Sequence, residues 1–492
     1  MGFSHQELSV KYRPVLVLIA IFAASVAAPA VDTKPLTCTE ITSWLLGGVS
    51  NTRLTTLVGQ QGAGFIPSGV SGMALNAAGS DAALLSTIRS KGAGSASGGA
   101  CATGLAEAAQ SFQEKKYEQA ERQIRSVLSG DPGNAALHFA LGSVLRRREK
   151  WDDAADEFTE SARLMPGFPE THSRLSYLFY RSEDPDNAIA EARTALSMDP
   201  HNTEAYKYLG LALTIDGQYD AAIHAFREAL SNDPENPEIY YYMGLALQDK
   251  GDLSGSAIYY RKALHLRPAY WEAHSNLGLV LHEQHQFDEA IAEYQAAKRL
   301  APEKMAVRNN LGSTYCDKGD YDAALAEFRE LYRLDPNWQT GHGCMAKALI
   351  AKHQYDAAIA ELHLAVVENP TSATEHRVLG QALLLTHKNT EALRELRVAV
   401  SLNPDSAVAH HYLGLALSTS GDNQAAAEEY REALRLEPTA DNHYYLAACL
   451  IGLADYDQAL FELEAAARLD PSRSLYRARK DELLKLMKAE VR

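Results

Sequence analysis

Five cysteines in a chain of 492 residues are too few for disulfides to be the scaffold of the fold. Positive charge is also short: 47 Lys and Arg stand against 63 Asp and Glu, a formal net charge of −16. Phosphate backbones need a basic surface, which excludes nucleic acid as the principal ligand. The apolar run Val15–Ala28 covers 14 residues, below the ~20 that a spanning helix needs. No GxGxxG, GxxxxGK[ST] or GxSxG pattern falls at a strand-to-helix junction, so neither a phosphate-cradling loop nor a nucleophile elbow is expected. His282-Glu283-Gln284-His285 lacks the HExxH spacing of a zinc site.

What the chain has instead is a period. Prolines 132, 166, 200, 234, 268, 302, 336, 370, 404 and 438 are each 34 residues apart, and Pro471 follows after 33. Residues 203–236 show what each interval contains. Tyr206, Leu209, Gly210 and Leu213 fall on one face of a helix, and Gly217 suits its end. Asp220 is placed to cap a second helix, whose face is Ala222, Phe226, Ala229 and Leu230, and Pro234 prevents its continuation. Neither helix can bury its face alone, so the intervals must stack.

With the proline counted as position 32, leucine or methionine and glycine recur at 7 and 8 (Leu141-Gly142, Leu209-Gly210, Met243-Gly244, Leu277-Gly278, Leu311-Gly312, Leu379-Gly380, Leu413-Gly414). Alanine recurs at 20, from Ala120 through Ala154 and Ala222 to Ala426, and a large residue at 24, as in Phe158, Phe226, Tyr260 and Tyr430. This pattern over residues 101–471 resembles the tetratricopeptide repeat family. The resemblance implies an all-α, right-handed superhelical solenoid of about eleven helix-turn-helix repeats. The first unit, starting near Cys101, is degenerate, with Glu107 at the leucine position. The eleventh is shortened near Gly452-Leu453-Ala454-Asp455. Residues 473–492 are expected to cap the array, with Leu475, Leu483, Leu486 and Met487 on one side of a last helix.

The N-terminal part divides differently. Lys11 and Arg13, the apolar run and the small residues up to Ala30 make residues 1–30 an export signal; the alternative is an uncleaved membrane anchor. Residues 36–91 are expected to form a small helical module. Thr37 to Glu40 is a capping box, Ser50 and Ser68 can open a second and a third helix, and Ser80 or Asp81 a fourth. The stretch GGVSNTRLTTLV…GFIPSGVSGMALNAAGSDAALLSTIR resembles a helical module that precedes repeat arrays in some bacterial proteins. Trp44 reads as core. Residues 92–100, GAGSASGGA, are a flexible linker by composition. Cys38 and Cys101 flank the module and could pair in an oxidising compartment, which the sequence leaves open. Cys316, Cys344 and Cys449 read as buried small hydrophobes.

Chemistry is sparse in the array. His138, His172, His274, His342, His376 and His410 all occupy position 4. Packed helices stand ~8–10 Å apart, too far for equivalent side chains to share one zinc ion, so these are expected to pack or hydrogen-bond. An array that uses nearly all the folded length leaves no room for a catalytic domain; no enzyme, cofactor or metal is expected.

The resemblance implies that positions 2, 5, 6, 9, 12 and 13 of each first helix face a concave groove. The candidate protein-binding residues are Arg174, Tyr177, Glu204, Lys207, Tyr208, Glu238, Tyr241, Tyr242, Glu272, Asn276 and Asn310. Asn276 and Asn310 match the family's use of asparagine to hold a peptide backbone, and the tyrosines offer contact area with a polar tip. Glu170, Glu204, Glu238 and Glu272 at position 2 form an acidic stripe suited to a basic partner, although glutamate in a first turn also serves the helix dipole. The family's set of lysine, asparagine and arginine that clamps a carboxylate is not present. The expectation is therefore an exported, periplasmic or secreted scaffold that binds a protein or extended peptide. The alternative is a membrane-anchored accessory of envelope assembly or polysaccharide export.

Overall fold

The computed structural model describes residues 34–93, 101–336, 338 and 340–490, with side chains up to residue 488. The expected export segment 1–30 lies outside the described residues, as do residues 94–100 of the linker. Among the described residues there are 27 helices and no strand, only two isolated bridges that join Ala63 to Leu36 and to Gly92. The chain divides into two compact bodies, residues 1–269 and 270–492.

The N-terminal body opens with four short helices, α1 (Cys38–Leu46), α2 (Asn51–Gln61), α3 (Gly69–Ala77) and α4 (Ala82–Lys91). Their starts are where the side-chain chemistry puts them. Thr37 Oγ1 accepts from the Glu40 amide at 3.2 Å while Glu40 accepts from the Thr37 amide at 2.7 Å. Ser50 caps α2, and Asp81 rather than Ser80 caps α4, accepting from the Leu84 amide at 2.7 Å.

Five helix pairs follow: α5 (Leu105–Gln113) with α6 (Tyr117–Gly130), α7 (Ala135–Arg147) with α8 (Trp151–Leu164), α9 (Pro169–Arg181) with α10 (Pro185–Met198), α11 (Thr203–Ile215) with α12 (Tyr219–Asn232), and α13 (Pro237–Asp249) with α14 (Leu253–Leu266). The C-terminal body adds six: α15 (Trp271–Glu283) with α16 (Phe287–Leu300), α17 (Met305–Lys318) with α18 (Tyr321–Leu334), α19 (His342–Ala351) with α20 (Tyr355–Glu368), α21 (Ala373–Leu385) with α22 (Asn389–Leu402), α23 (Ala407–Thr419) with α24 (Asn423–Leu436), and α25 (Ala440–Gly452) with α26 (Tyr456–Leu469). The last helix is α27 (Ser474–Glu490).

Seven of the pairs share one contact. The glycine at position 8 lies against the large residue at position 24 of its own repeat: a Cβ on Gly244 would sit 2.7 Å from the Tyr260 ring, and one on Gly278 3.0 Å from Tyr294. Position 24 therefore fills the gap within a repeat and also meets the next one, as Phe226 does at Tyr242 and Tyr430 at Tyr445. At the inner turn the residue at position 15 has positive φ in every repeat. Gly217, Gly251, Gly319 and Gly421 take it without strain, but Lys115, Glu149, Glu183, His285, His353, His387 and Ala454 adopt it too. The helix-pair geometry imposes the left-handed residue whatever its type. Asp220 does not cap α12, which begins one residue earlier at Tyr219; its carboxylate takes Lys250 of the next repeat at 2.6 Å instead.

Residues 36–91 do not stand apart from the array. Trp44 is buried and stacks on Phe168 with ring centroids 4.9 Å apart, while Phe139 meets both Phe158 and Phe168 edge-on. Ser143 Oγ donates to the Gly47 carbonyl at 3.1 Å, and Arg53 reaches Glu170 at 2.7 Å. One apolar core thus runs from the four short helices into the first repeats. Cys38 and Cys101 form a disulfide across this junction, with Cα atoms 4.9 Å apart.

Two further readings change. Cys316 and Cys344, read as isolated apolar cysteines, are paired in a second disulfide with Cα atoms 6.1 Å apart, because the stacking of α17 on α19 brings them together; Cys449 is free and buried. On α27 the buried residues are Tyr476 and Leu483, whereas Leu475 and Leu486 are exposed. Tyr476 wins the inward position because its hydroxyl donates to Asp441 at 2.7 Å and accepts from Arg473 at 2.9 Å.

Candidate functional site

Helices α7, α9, α11 and α13 line one side of a cavity of about 610 Å³, and the C-terminal end of α1 with Gly47 and Gly48 closes another. Of the candidate residues, Arg174, Tyr177, Glu204, Lys207, Tyr208 and Glu238 converge on it, joined by Tyr242. Tyr241 does not line it and packs on Tyr260 with ring centroids 5.7 Å apart. Glu272, Asn276 and Asn310 belong to the C-terminal body and are no part of it. Asn276 is buried, and Asn310 lies beside the Tyr294 hydroxyl.

The acidic stripe is a correction. Glu170 is occupied by Arg53 at 2.7 Å, Glu204 by Arg174 at 2.8 Å, and Glu238 by Arg267 at 3.5 Å and Lys207 at 3.7 Å. Three of the four glutamates are thus neutralised by the protein itself, which a one-dimensional pattern could not show because the cations come from other helices. Enclosure opposes the Glu204 carboxylate, but Arg174, Lys207 and Arg146 outweigh it and hold its pKa below the ordinary carboxylate value. Burial likewise works against Lys207, yet Tyr208, Glu204 and Glu238 raise its pKa above the usual lysine value. At Glu170 burial dominates over Arg53 and the pKa rises.

Two residues of the cavity wall, Arg146 and Arg147, were not among the candidates. They stand at positions 12 and 13 of their repeat, which the family pattern turns toward the groove, so that signal was there to be used. Burial and the neighbouring Arg174 push the Arg146 pKa down. The guanidinium lies 5.6 Å from the centre of the Tyr177 ring, and its Nε is a buried donor without an acceptor. Arg181 lies 4.0 Å over the ring of Trp151. The closing wall of Gly47 and Gly48 had no signal in the sequence, since it depends on how α1 docks.

The position-4 histidines have definite partners. In His138, His172, His274, His342, His376 and His410, Nδ1 meets a glutamate nineteen residues on at 2.6–2.8 Å, and His443 follows the same pattern with Glu462. In His138, His172, His376 and His410 the other nitrogen faces a proline carbonyl six residues back at 2.9–3.3 Å. These rings tie the first helix of a repeat both to its second helix and to the preceding loop.

Family models of the tetratricopeptide repeat match residues 105–167, 174–237, 216–270, 272–337, 345–407 and 407–440, which together span more than half of the chain. The chain belongs to the tetratricopeptide repeat family. Tetratricopeptide repeats are protein-interaction scaffolds and generally non-catalytic. No curated protein matches the sequence. Among similar solved structures, "Functional Characterization of Pseudomonas Aeruginosa pilF" is 18% identical, covering 46% of this chain and 98% of that one at a TM-score of 0.39. "Crystal Structure of the Yeast Tom70" is 15% identical, covering 78% and 94% at 0.33. "Crystal structure of YrrB: a TPR protein with an unusual peptide-binding site" is 23% identical, covering 40% and 99% at 0.33.

Proposed function

We propose that this tetratricopeptide repeat protein is an exported, non-enzymatic scaffold that holds a segment of a partner protein in the cavity between α1 and the first helices of α7 to α13. The reading is carried by convergence: Arg174, Tyr177, Glu204, Lys207, Tyr208 and Glu238, separate in the chain, share one concave surface. A cavity of about 610 Å³ is in the range that buries a ligand's side chains, and tyrosines beside charged groups combine contact area with orientation. The two disulfides support an oxidising compartment, consistent with removal of residues 1–30 on export.

Binding of a panel of mixed-sequence synthetic peptides, followed by fluorescence anisotropy, tests the site. The Tyr177→Ala variant, with its helical circular dichroism intact, is expected to weaken the bound peptides at least tenfold. Unchanged binding would remove the cavity from the reading. N-terminal sequencing of the mature protein is expected to begin near residues 28–31; a chain still starting at residue 1 would instead favour the anchored alternative.

A further inference from the structure

At position 3 most repeats bury an apolar side chain: Leu137, Ala205, Ile239, Ala273, Val307 and Ala409 are at most 2% exposed. In the ninth repeat that position is Glu375. Position 30 is leucine at 266, 300, 334, 402 and 436, but in the eighth repeat it is Glu368. Two carboxylates thus meet at one seam, one on the last residue of α20 and one in the first turn of α21. The position-4 histidine also differs here. Elsewhere its second nitrogen faces a proline carbonyl, as in His138, His172, His376 and His410. His342 Nε2 instead faces the Glu368 carboxylate at 3.4 Å and the Tyr332 hydroxyl at 3.2 Å, while Nδ1 keeps Glu361 at 2.6 Å. Glu375 reaches back over α19: a Cβ on Gly343 would come 3.2 Å from its Oε1, and its Oε2 is buried without a donor. The groups around Glu368 are therefore Tyr332 from α18, His342 from α19, Glu361 from α20 itself and Glu375 from α21. One histidine does not balance three carboxylates. The proton goes to Glu368, because the negative end of the α20 dipole opposes its charge, whereas the start of α21 favours the charge of Glu375. Burial, reinforced by Glu375 and Glu361, carries the Glu368 pKa to about 7 against the pull of His342.

We propose that the seam between α20 and α21 is a pH-sensitive hinge, closed while Glu368 holds a proton and loosened when Glu361, Glu368 and Glu375 are all charged. The eighth repeat can give way on one side only. Toward the seventh it is fastened by the Cys316–Cys344 disulfide, which ties α19 to α17, and by Tyr332, which stacks on His342 with ring centroids 5.0 Å apart. Toward the ninth no covalent bond opposes the repulsion. Ile359 and Leu362 share one apolar core with Leu379 and Leu383 and serve as the pivot. At the far end of α20, Asp356 stays tied to Lys388 at 3.4 Å, so the loosening is concentrated at the end that carries Glu368. Its sign follows from linkage. The closed seam binds the proton more tightly than the open one, in which Glu368 returns to water. Closure is therefore complete in acid and is lost as pH rises through about 7. The hinge lies wholly within the C-terminal body and does not depend on the cavity or on what occupies it.

Amide hydrogen exchange of the oxidised full-length protein, followed across the neutral range and corrected for the intrinsic pH dependence of exchange, tests the hinge. The end of α20 and the start of α21 are expected to lose protection above the midpoint by up to about tenfold per pH unit, the limit for release of one proton. The seam between α22 and α23, where Leu402 and Ala409 hold the same two positions, should keep its protection constant. Glu368→Leu and Glu375→Ala each restore a residue that other repeats use. Either should abolish the step while leaving the helical circular dichroism intact, and each should raise the melting temperature in mild alkali. Constant protection of the α20–α21 seam in the wild type overturns the proposal, as does a step that persists in both variants. A step of equal size at the two seams also overturns it, because that is the mark of an opening shared by the whole array.

Discussion

At Gly244 a single added methyl would lie 2.7 Å from the Tyr260 ring, closer than carbon atoms approach without displacement. Gly244→Leu is therefore expected to overpack the pair α13–α14 and cost about 1–3 kcal/mol, read from a thermal or denaturant melt. An unchanged midpoint would contradict the packing of position 8 on position 24. His376 holds Glu395 at 2.8 Å and the Pro370 carbonyl at 3.2 Å, so His376→Ala strands two acceptors and should cost about 1–3 kcal/mol. Glu368 sets a pH dependence. Burial raises its carboxyl, His342 opposes, and Glu375 and Glu361 reinforce the rise, to about 7 against an ordinary 4.5. A carboxyl that binds its proton more tightly when folded contributes full stability below the unfolded pKa. That contribution is lost as pH rises through the folded value. The melting temperature of wild type relative to Glu368→Gln should accordingly fall between pH 5 and 8; a difference that stays flat would show that Glu368 titrates normally. The histidine at position 4 was legible as a recurring structural residue. Its glutamate was not, because the partner sits on the second helix, nineteen residues on, and only the packed pair brings them together.

At the scale of the helix, the stop and start signals are local and were read from the chain. Thr37, Ser50 and Asp81 cap as their side chains dictate, and the 34-residue period returns as eleven helix pairs. Asp220 shows the limit of such reading. An aspartate near a helix start can cap, but here the helix begins at Tyr219 and a lysine from the next repeat is within reach. Similar links join Lys318 to Asp288 and Lys388 to Asp356 in the C-terminal body. All are exposed, so each adds little stability and mainly favours one stacking register. The last helix does more. Truncation before Ser474 removes the cover provided by Tyr476 and Leu483 from the flank of α25 and α26. The shortened protein is expected to aggregate at lower temperature in light scattering, since an uncapped repeat leaves its apolar face in water. Equal solubility would mean that α27 is dispensable as a cap.

At the scale of the molecule, the two disulfides lie in different bodies and should act separately. Cys38→Ser with Cys101→Ser is expected to cost about 2–4 kcal/mol and Cys316→Ser with Cys344→Ser a comparable amount, with the combined variant close to additive in denaturant midpoints. Strong non-additivity would mean that the bodies unfold as one. The repeat period, the core positions and the helix boundaries could be worked out from the chain, because a stacked repeat touches little beyond its immediate neighbours and its chemistry is nearly one-dimensional. The cavity followed a different rule. Arg53 finds Glu170 across 117 positions, Ser143 finds Gly47 across 96 and Cys38 finds Cys101 across 63. Those contacts arise only when the N-terminal helices dock on the array. The docking closes one end of the cavity and pairs Glu170 with Arg53, while the packing of successive repeats pairs Glu204 and Glu238 with cations of neighbouring helices.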